Sequence, residues 1–501
     1  MTRRRTFIVR RTIAPLLGAV LTAGSASAQE PSASAPEPLT LRSAVERALA
    51  GNRDIQIERE ALAGAAARII GARGEYDPRL SLEFGARHRL EPITTLFSGA
   101  PAGAVAPSQN SFSATVSVGQ LLPSGAVASA FTSFGRQATN GLFTLIDPAF
   151  SSALGFDLRQ PLMRSRNIDS ARLGLRLTAI DRDRSMAEVR AQAAETLAAV
   201  ERAYWTLVAA RRELEVRRES VALAEQQRAE TEVRVAARTV AASDVAQPIA
   251  EAERRRGEWY AAQERAARAE RALKLLIVSG SDDPLWSAAL DPVDRPEIQP
   301  AAVDVNLALA DAQRHRPELE ALGAGVAAEE LQVSLALDML RPRLDLVGSY
   351  TTRGLAGSRN PDVLALGGAP TTLPEPLSGG AATSWAALLN NRFPDLSVGL
   401  SFELPLGRRE ARGQIGAAQA ARRQATARLA SLRDRIEIEV RDAVTAVETA
   451  AGRVDAARAG LRAAETQLRA EQDRFTAGVT TNFFVLTRQA ELAVAQLAEV
   501  T

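Results

Sequence analysis

From Val440 onward a large apolar residue recurs at every seventh position: Val440, Val447, Val454, Leu461, Leu468 and Phe475. Three residues after the first four sit Ala443, Ala450, Ala457 and Ala464. A heptad seam whose second position is this thin predicts a helix that lies very close to its neighbour. The pattern stops at Ala477-Gly478, and a second apolar run leaves from Phe483, which predicts a long helical hairpin with a tight tip near 478–482. Shifted back by 240 positions the seam returns as Val200, Leu207, Leu214, Val221, Arg228 and Val235, with Ala203, Ala210 and Ala224 beside it. The register holds through a first tip near 238–243, where Arg234 matches Arg474, Ala237 matches Ala477 and Val245 matches Val485.

A second offset supports the same reading. Leu39–Ile70 reads as a helix, and Ala48, Asp54-Ile55 and Pro78-Arg79-Leu80 recur 264 positions later as Ala312, Glu318-Leu319 and Pro342-Arg343-Leu344. The chain therefore reads as a tandem repeat, with a first unit over 39–277, a joining segment rich in Pro and Asp over 278–302, and a second unit over 303–501. Each proline ends a helix where an extended segment begins. The long helices, Asp169–Ala237 and Arg408–Ala477, would each be roughly 100 Å long if continuous.

The extended segments alternate with period two. Leu396, Val398, Leu400, Phe402 and Leu404 point one way, and Ser397, Gly399, Ser401 and Glu403 point the other. Phe112, Ala114, Val116 and Val118 alternate in the same manner with serines and Thr115, and Leu154, Phe156 and Leu158 with Gly155, Asp157 and Arg159. Such strands suit a closed barrel with lipid outside and water inside, or a soluble sheet with one buried face. Loops rich in Gly, Pro, Ser and Asn, Glu91–Asn110 and Gly354–Phe393, alternate with short turns. Pro123-Ser124-Gly125 adds a tight turn that gives the first unit four candidate strands against two in the second.

Composition narrows the function. Residues 1–28 read as an export signal: Arg3, Arg4, Arg5, Arg10 and Arg11, then the apolar Ile13–Thr22, then Ala26-Ser27-Ala28. A Pro/Ser/Ala stretch over 29–38 is expected to be disordered. There are 61 basic and 59 acidic residues and a single lysine, Lys274. Arginines interleaved with glutamates along helices read as a solvated face, so no nucleic-acid partner is expected. The absence of cysteine excludes thiolate metal sites, thiol catalysis and disulfides. No phosphate-binding loop, zinc-protease or serine-hydrolase motif occurs, and His88 and His315 stand alone. The reading is of a non-enzyme without metal or cofactor.

Four short motifs, in this order and echoed between the halves, carry a resemblance: Gln160-Pro161-Leu162, Ala203-Tyr204-Trp205-Thr206-Leu207, Arg316-Pro317-Glu318-Leu319 and Arg474-Phe475-Thr476-Ala477-Gly478. The chain resembles the TolC-like outer-membrane efflux protein family over essentially all of the mature sequence. That resemblance implies an α+β membrane protein, a homotrimer in which one outer-membrane β-barrel is continuous with a long periplasmic coiled-coil α-barrel. It implies four strands per chain, twelve in all, with Pro123–Arg136 an added hairpin or loop. It also implies a passive export duct in contact with outer-membrane lipid, partnered by a periplasmic adaptor (a membrane fusion protein) and an inner-membrane transporter, in drug efflux or type I protein secretion. The alternative is a periplasmic coiled-coil adaptor or scaffold without a pore.

The expected gate lies at the tips and draws on Gly478, Phe483, Phe484, Thr487, Asp244, Arg234 and Arg474. In members of the family resembling its archetype, two pore-facing aspartates occupy the positions of Phe484 and Thr487, so no carboxylate gate is expected here. A phenylalanine ring could close the pore by dewetting, or Phe483-Phe484 could pack between helices. Ser243-Asp244 reads as a helix-start cap, and Arg234 and Arg474 as solvated surface or tip salt bridges. Measured against Asp244–Ile277, the final helix is 16 residues short at Thr501, about 24 Å of rise. The expectation is that the natural polypeptide continues or that this helix end is frayed.

Overall fold

The structure, a computed structural model, describes residues 37–93, 99–296, 303–364 and 372–500. The expected export signal over 1–28, positions 29–36, positions 94–98 of the expected loop Glu91–Asn110 and positions 297–302 of the joining segment lie outside the described residues. The described residues begin with β1 (Glu37–Leu39), α1 (Leu41–Gly51) and α2 (Arg53–Arg73). Glu37 and Pro38 thus belong to a strand and not to a disordered stretch. The single helix expected over Leu39–Ile70 is two, because Asn52 is extended and its Oδ1 accepts from the backbone N–H groups of Asp54 and Ile55. A side chain that caps the next helix competes successfully with helix continuation.

Four strands follow: β2 (Arg79–Leu90), β3 (Ser108–Leu121), β4 (Val127–Thr139) and β5 (Ile146–Pro161). They lead into α3 (Ser170–Ala236) and, after the first tip, α4 (Ala246–Ile277). β6 (Leu290–Pro292) lies in the joining segment and pairs in parallel with β1. The second half holds α5 (Val305–His315), α6 (Pro317–Asp338), β7 (Arg343–Arg359), α7 (Ala381–Leu389), β8 (Phe393–Glu403), α8 (Arg409–Thr476) and α9 (Asn482–Val500). α5 and α6 break at Arg316, which Pro317 holds extended.

The large sheet is antiparallel throughout, in the order β2-β3-β4-β5-β7-β8. The expectation of four strands per chain, with Pro123–Arg136 an added hairpin or loop, is therefore corrected to six strands in one sheet. β4 pairs with β3 from Gln109–Thr139 down to Leu121–Val127 without a break. The reason is its own alternation, with Ala128, Ala130 and Phe134 on one face and Ser129, Ser133 and Gln137 on the other. One row crosses all six strands: Leu80, Val118, Ala130, Phe156, Tyr350 and Leu396 are successive partners. The opposite face carries Ser117, Ser129, Asp157, Ser349 and Ser397 in the neighbouring rows. The edge strands β2 and β8 are exposed along their whole length.

The loop expected over Gly354–Phe393 contains the end of β7 and the short helix α7, and 365–371 lie outside the described residues. α7 covers a polar gap in the apolar face. Ser152 Oγ donates to the Ser384 carbonyl at 3.0 Å, Thr352 Oγ1 donates to the Leu388 carbonyl at 3.3 Å, and Trp385 stacks on Phe134.

The helices pack as four adjoining columns. α2 and α4 lie along α3, α3 meets α6 and α9, and these meet α8. Halfway down α3 the chain builds its principal core from Leu39, Ala44, Val200, Tyr204, Leu207, Leu273, Ile277, Leu285 and Leu290. This is where the joining segment is folded, and where the expected seam residues Val200 and Leu207 are buried together. Tyr204 ties the core to β1: its hydroxyl lies 2.7 Å from Asp294 Oδ2 and donates at 3.0 Å toward the Leu39 carbonyl. Burial, reinforced by the Asp294 hydrogen bond, pushes the phenol up to about 12 from an ordinary 10.0. The phenol is harder to ionise in the folded chain, so its contribution to stability is whole below pH 10.0 and is lost as pH rises through about 12. Tyr204→Phe is expected to cost about 1–3 kcal/mol and to flatten that alkaline loss. Unfolding midpoints measured by circular dichroism from about pH 8 to about pH 12, the range in which tyrosine titrates, check both effects.

Candidate gate at the helical tips

Both long helices end in the same backbone motif. At the second tip the Gly478 N–H donates to the Phe475 carbonyl at 3.1 Å and the Val479 N–H to the Arg474 carbonyl at 3.0 Å, with Gly478 at φ +73°. At the first tip Arg238 takes the place of Gly478, at φ +60°, with Arg238 N–H on Val235 and Thr239 N–H on Arg234. These paired bonds satisfy helix carbonyls that would otherwise be orphaned, and they reverse the chain. Arginine tolerates the left-handed conformation less well than glycine.

The two tips touch. The Arg234 guanidinium lies over the Phe475 ring, 4.5 Å from its centroid, a cation–π contact between the halves. Arg474 pairs instead with Glu471 of its own helix at 3.5 Å, and Glu471, almost buried, accepts from Thr480 Oγ1 at 2.6 Å. The salt-bridge reading thus fits Arg474, while Arg234 engages a ring. Asp244 acts as a cap: its Oδ2 accepts from the Ala241 N–H at 3.3 Å.

On α9 the buried positions are Val485, Leu486, Gln489 and Ala493. Helical spacing places Phe484 on the opposite side, and it is 50% exposed. Phe483 meets it edge-on, with ring centroids 5.6 Å apart. Thr487 Oγ1 donates to the Phe483 carbonyl at 2.9 Å. Phe483, Leu486, Thr487 and Ala490 of α9 face Ala250 and Glu251 of α4 across a cleft of about 360 Å³. Of the seven expected tip residues, Phe483, Phe484 and Thr487 gather on one turn, Gly478, Arg474 and Arg234 on the paired reversals, and Asp244 stands apart as a cap.

One residue at this site escaped the sequence reading. Arg255 of α4 is only 2% exposed. It donates to Glu251 Oε1 at 2.8 Å, to the Ser220 carbonyl at 3.2 Å and to the Leu486 carbonyl at 3.3 Å. A single guanidinium therefore joins α4 and α3 of the first half to α9 of the second. Glu251 is held below the ordinary carboxylate value, chiefly by its hydrogen bond from Arg254 and then by Arg255, against the opposing effect of burial. The signal was available: Ala252, Arg255, Ala262, Ala266, Ala269 and Leu273 form one buried seam, and an arginine in such a seam has to be satisfied there.

Residues 308–501 match the family model described as Outer membrane efflux protein. That match covers the C-terminal part of the chain. Solved structures share the fold over 92% of this chain. A membrane protein from Pseudomonas aeruginosa is 21% identical, with a TM-score of 0.60 over 89% of its own length. The CmeC outer membrane channel of Campylobacter jejuni is 15% identical, with a TM-score of 0.64 over 81%. The outer membrane protein VceC of Vibrio cholerae is 18% identical, with a TM-score of 0.62 over 91%. No curated protein matches the chain.

Proposed function

We propose that this protein is the outer-membrane duct of a tripartite export system, assembled as a homotrimer around one shared barrel. The observation that carries the reading is the sheet. Six amphipathic strands with two fully exposed edges, β2 and β8, run directly into two long helical hairpins. Exposed edges on a membrane sheet have to be paired, and copies of the same chain supply a matching edge. The apolar row from Leu80 to Leu396 then faces lipid and the serine-rich face encloses water. The helical columns continue the wall into the periplasm and narrow at the tips, where Phe484 of three chains would form an apolar ring.

Within this assembly the periplasmic adaptor and the inner-membrane transporter engage the helical end, and specificity resides in the transporter. An adaptor role for the chain itself fits less well, since a pore-less scaffold has no use for six lipid-suited strands. The test is light scattering in mild detergent combined with planar-bilayer recording. A trimer that inserts as discrete channels is expected. A stable, well-behaved monomer without channel activity would overturn the proposal.

A further inference from the structure

The β3–β4 hairpin is built into the middle of the six-stranded sheet. β2 pairs along its full length with β3, and β4 with β5 through eleven successive partners. The hairpin's base lies against the end of β5 and the start of α3: Ser124 Oγ is 3.1 Å from Gln160 Oε1, and a Cβ on Gly125 would lie 2.6 Å from Arg172 Nη2. The side of the hairpin that would face water carries the small residues Ser111, Ser113, Thr115, Ser117, Ser129, Ser133 and Gly135, with the ring of Phe131 among them lying over Gly155.

Circumference gives these facts a consequence, and the step rests on the trimer proposed above. Three six-stranded chains supply eighteen strands. Spaced about 4.8 Å apart and tilted about 40°, they wrap roughly 113 Å, whereas twelve would wrap only roughly 75 Å. Four helical columns per chain give twelve, and helices packed about 8–10 Å apart wrap roughly 96–120 Å. Eighteen strands therefore sit on the helical ring without a step. Twelve at the same tilt would fall short of it.

We propose that the β3–β4 hairpin makes this an eighteen-stranded, wide-bore barrel, whose outer-membrane segment passes bulky or polymeric cargo such as polypeptide chains. The backbone diameter is about 36 Å, against about 24 Å for twelve strands. With side chains on both walls, the clear bore is about 25 Å against about 13 Å. The narrowest point then lies at the tips, and the barrel imposes no size filter of its own.

Three measurements test this. Polyethylene glycols of graded radius are added on the outer side of a bilayer holding the wild-type channel. A polymer of about 10 Å radius is expected to enter and lower the conductance. It is expected to be excluded after deletion of 108–139, which lets β2 pair directly with β5 in matching face register. If the deletion variant does not assemble, the wild-type threshold decides alone. Because the chain lacks cysteine, a spin label at Val398→Cys gives a clean third reading. Labels on equivalent residues of a trimer are expected about 43 Å apart, against about 33 Å for twelve strands. A trimeric channel that excludes the polymer and shows the shorter distance overturns the wide barrel and leaves the duct reading standing. A monomer with no inter-label distance and no conductance overturns both.

Discussion

Replacing Arg255 by methionine is expected to loosen the tip more than any other single change on α4. The methionine keeps an unbranched apolar stem but removes donors to Glu251, Ser220 and Leu486. Losing a buried, charge-assisted network of this kind costs about 2–4 kcal/mol. Because one of the three partners lies on α9, the loss falls on the contact between the two halves near the tip. Resting conductance should rise and hydrogen exchange should accelerate over Val485–Gln489, while the Tyr204 core stays protected. Arg255→Lys should restore little, since one ammonium cannot reach three partners in the guanidinium's planar arrangement. Acid should act in the same direction. Glu251 is held below its ordinary value, so the stability it lends is present above that value and is lost as pH falls through the lowered one. Unchanged conductance and unchanged exchange in Arg255→Met would show that the network is not a lock.

Much of this architecture is legible in the sequence because it rests on periodicity. The seven-residue spacing from Val440 to Phe475 and the two-residue spacing from Leu396 to Phe402 are direct images of a helix seam and a strand face. The break at Asn52 was harder to see, because one side chain's choice of hydrogen bonds decides it within an otherwise helical pattern. The β4 strand is legible from its turn and its alternation, but its place in the sheet is not, because that depends on pairing with β3 and β5. Arg255 was hidden for a different reason. It stands between Arg254 and Arg256, and composition alone treats all three as solvated, whereas the seam spacing singles out the middle one. The contact of Arg234 with Phe475 depends on how the two hairpins meet, which no local pattern encodes.

Phe484→Ala is expected to raise the resting conductance several-fold, and Phe484→Asp to make the channel sensitive to trivalent cations. Phe484 is half exposed on the side of α9 away from Val485, Leu486 and Gln489, so packing within its own chain does not account for a large apolar ring there. In the proposed trimer three such rings converge at the narrowest part of the duct. A ring of this kind repels hydrated ions of either sign by dewetting, so the closed wild type should show weak charge selectivity and no multivalent block. Three carboxylates in the same place would concentrate negative potential in a low-dielectric constriction, and a trivalent cation would bind and plug it. Phe483→Ala serves as the control, because Phe483 faces the cleft beside Ala250 and Glu251 and its loss should affect helix packing more than conductance. Single-channel recording of the three variants separates the possibilities. If Phe484→Ala leaves conductance unchanged while the wild type is already blocked by trivalent cations, the constriction lies elsewhere and Phe484 is surface.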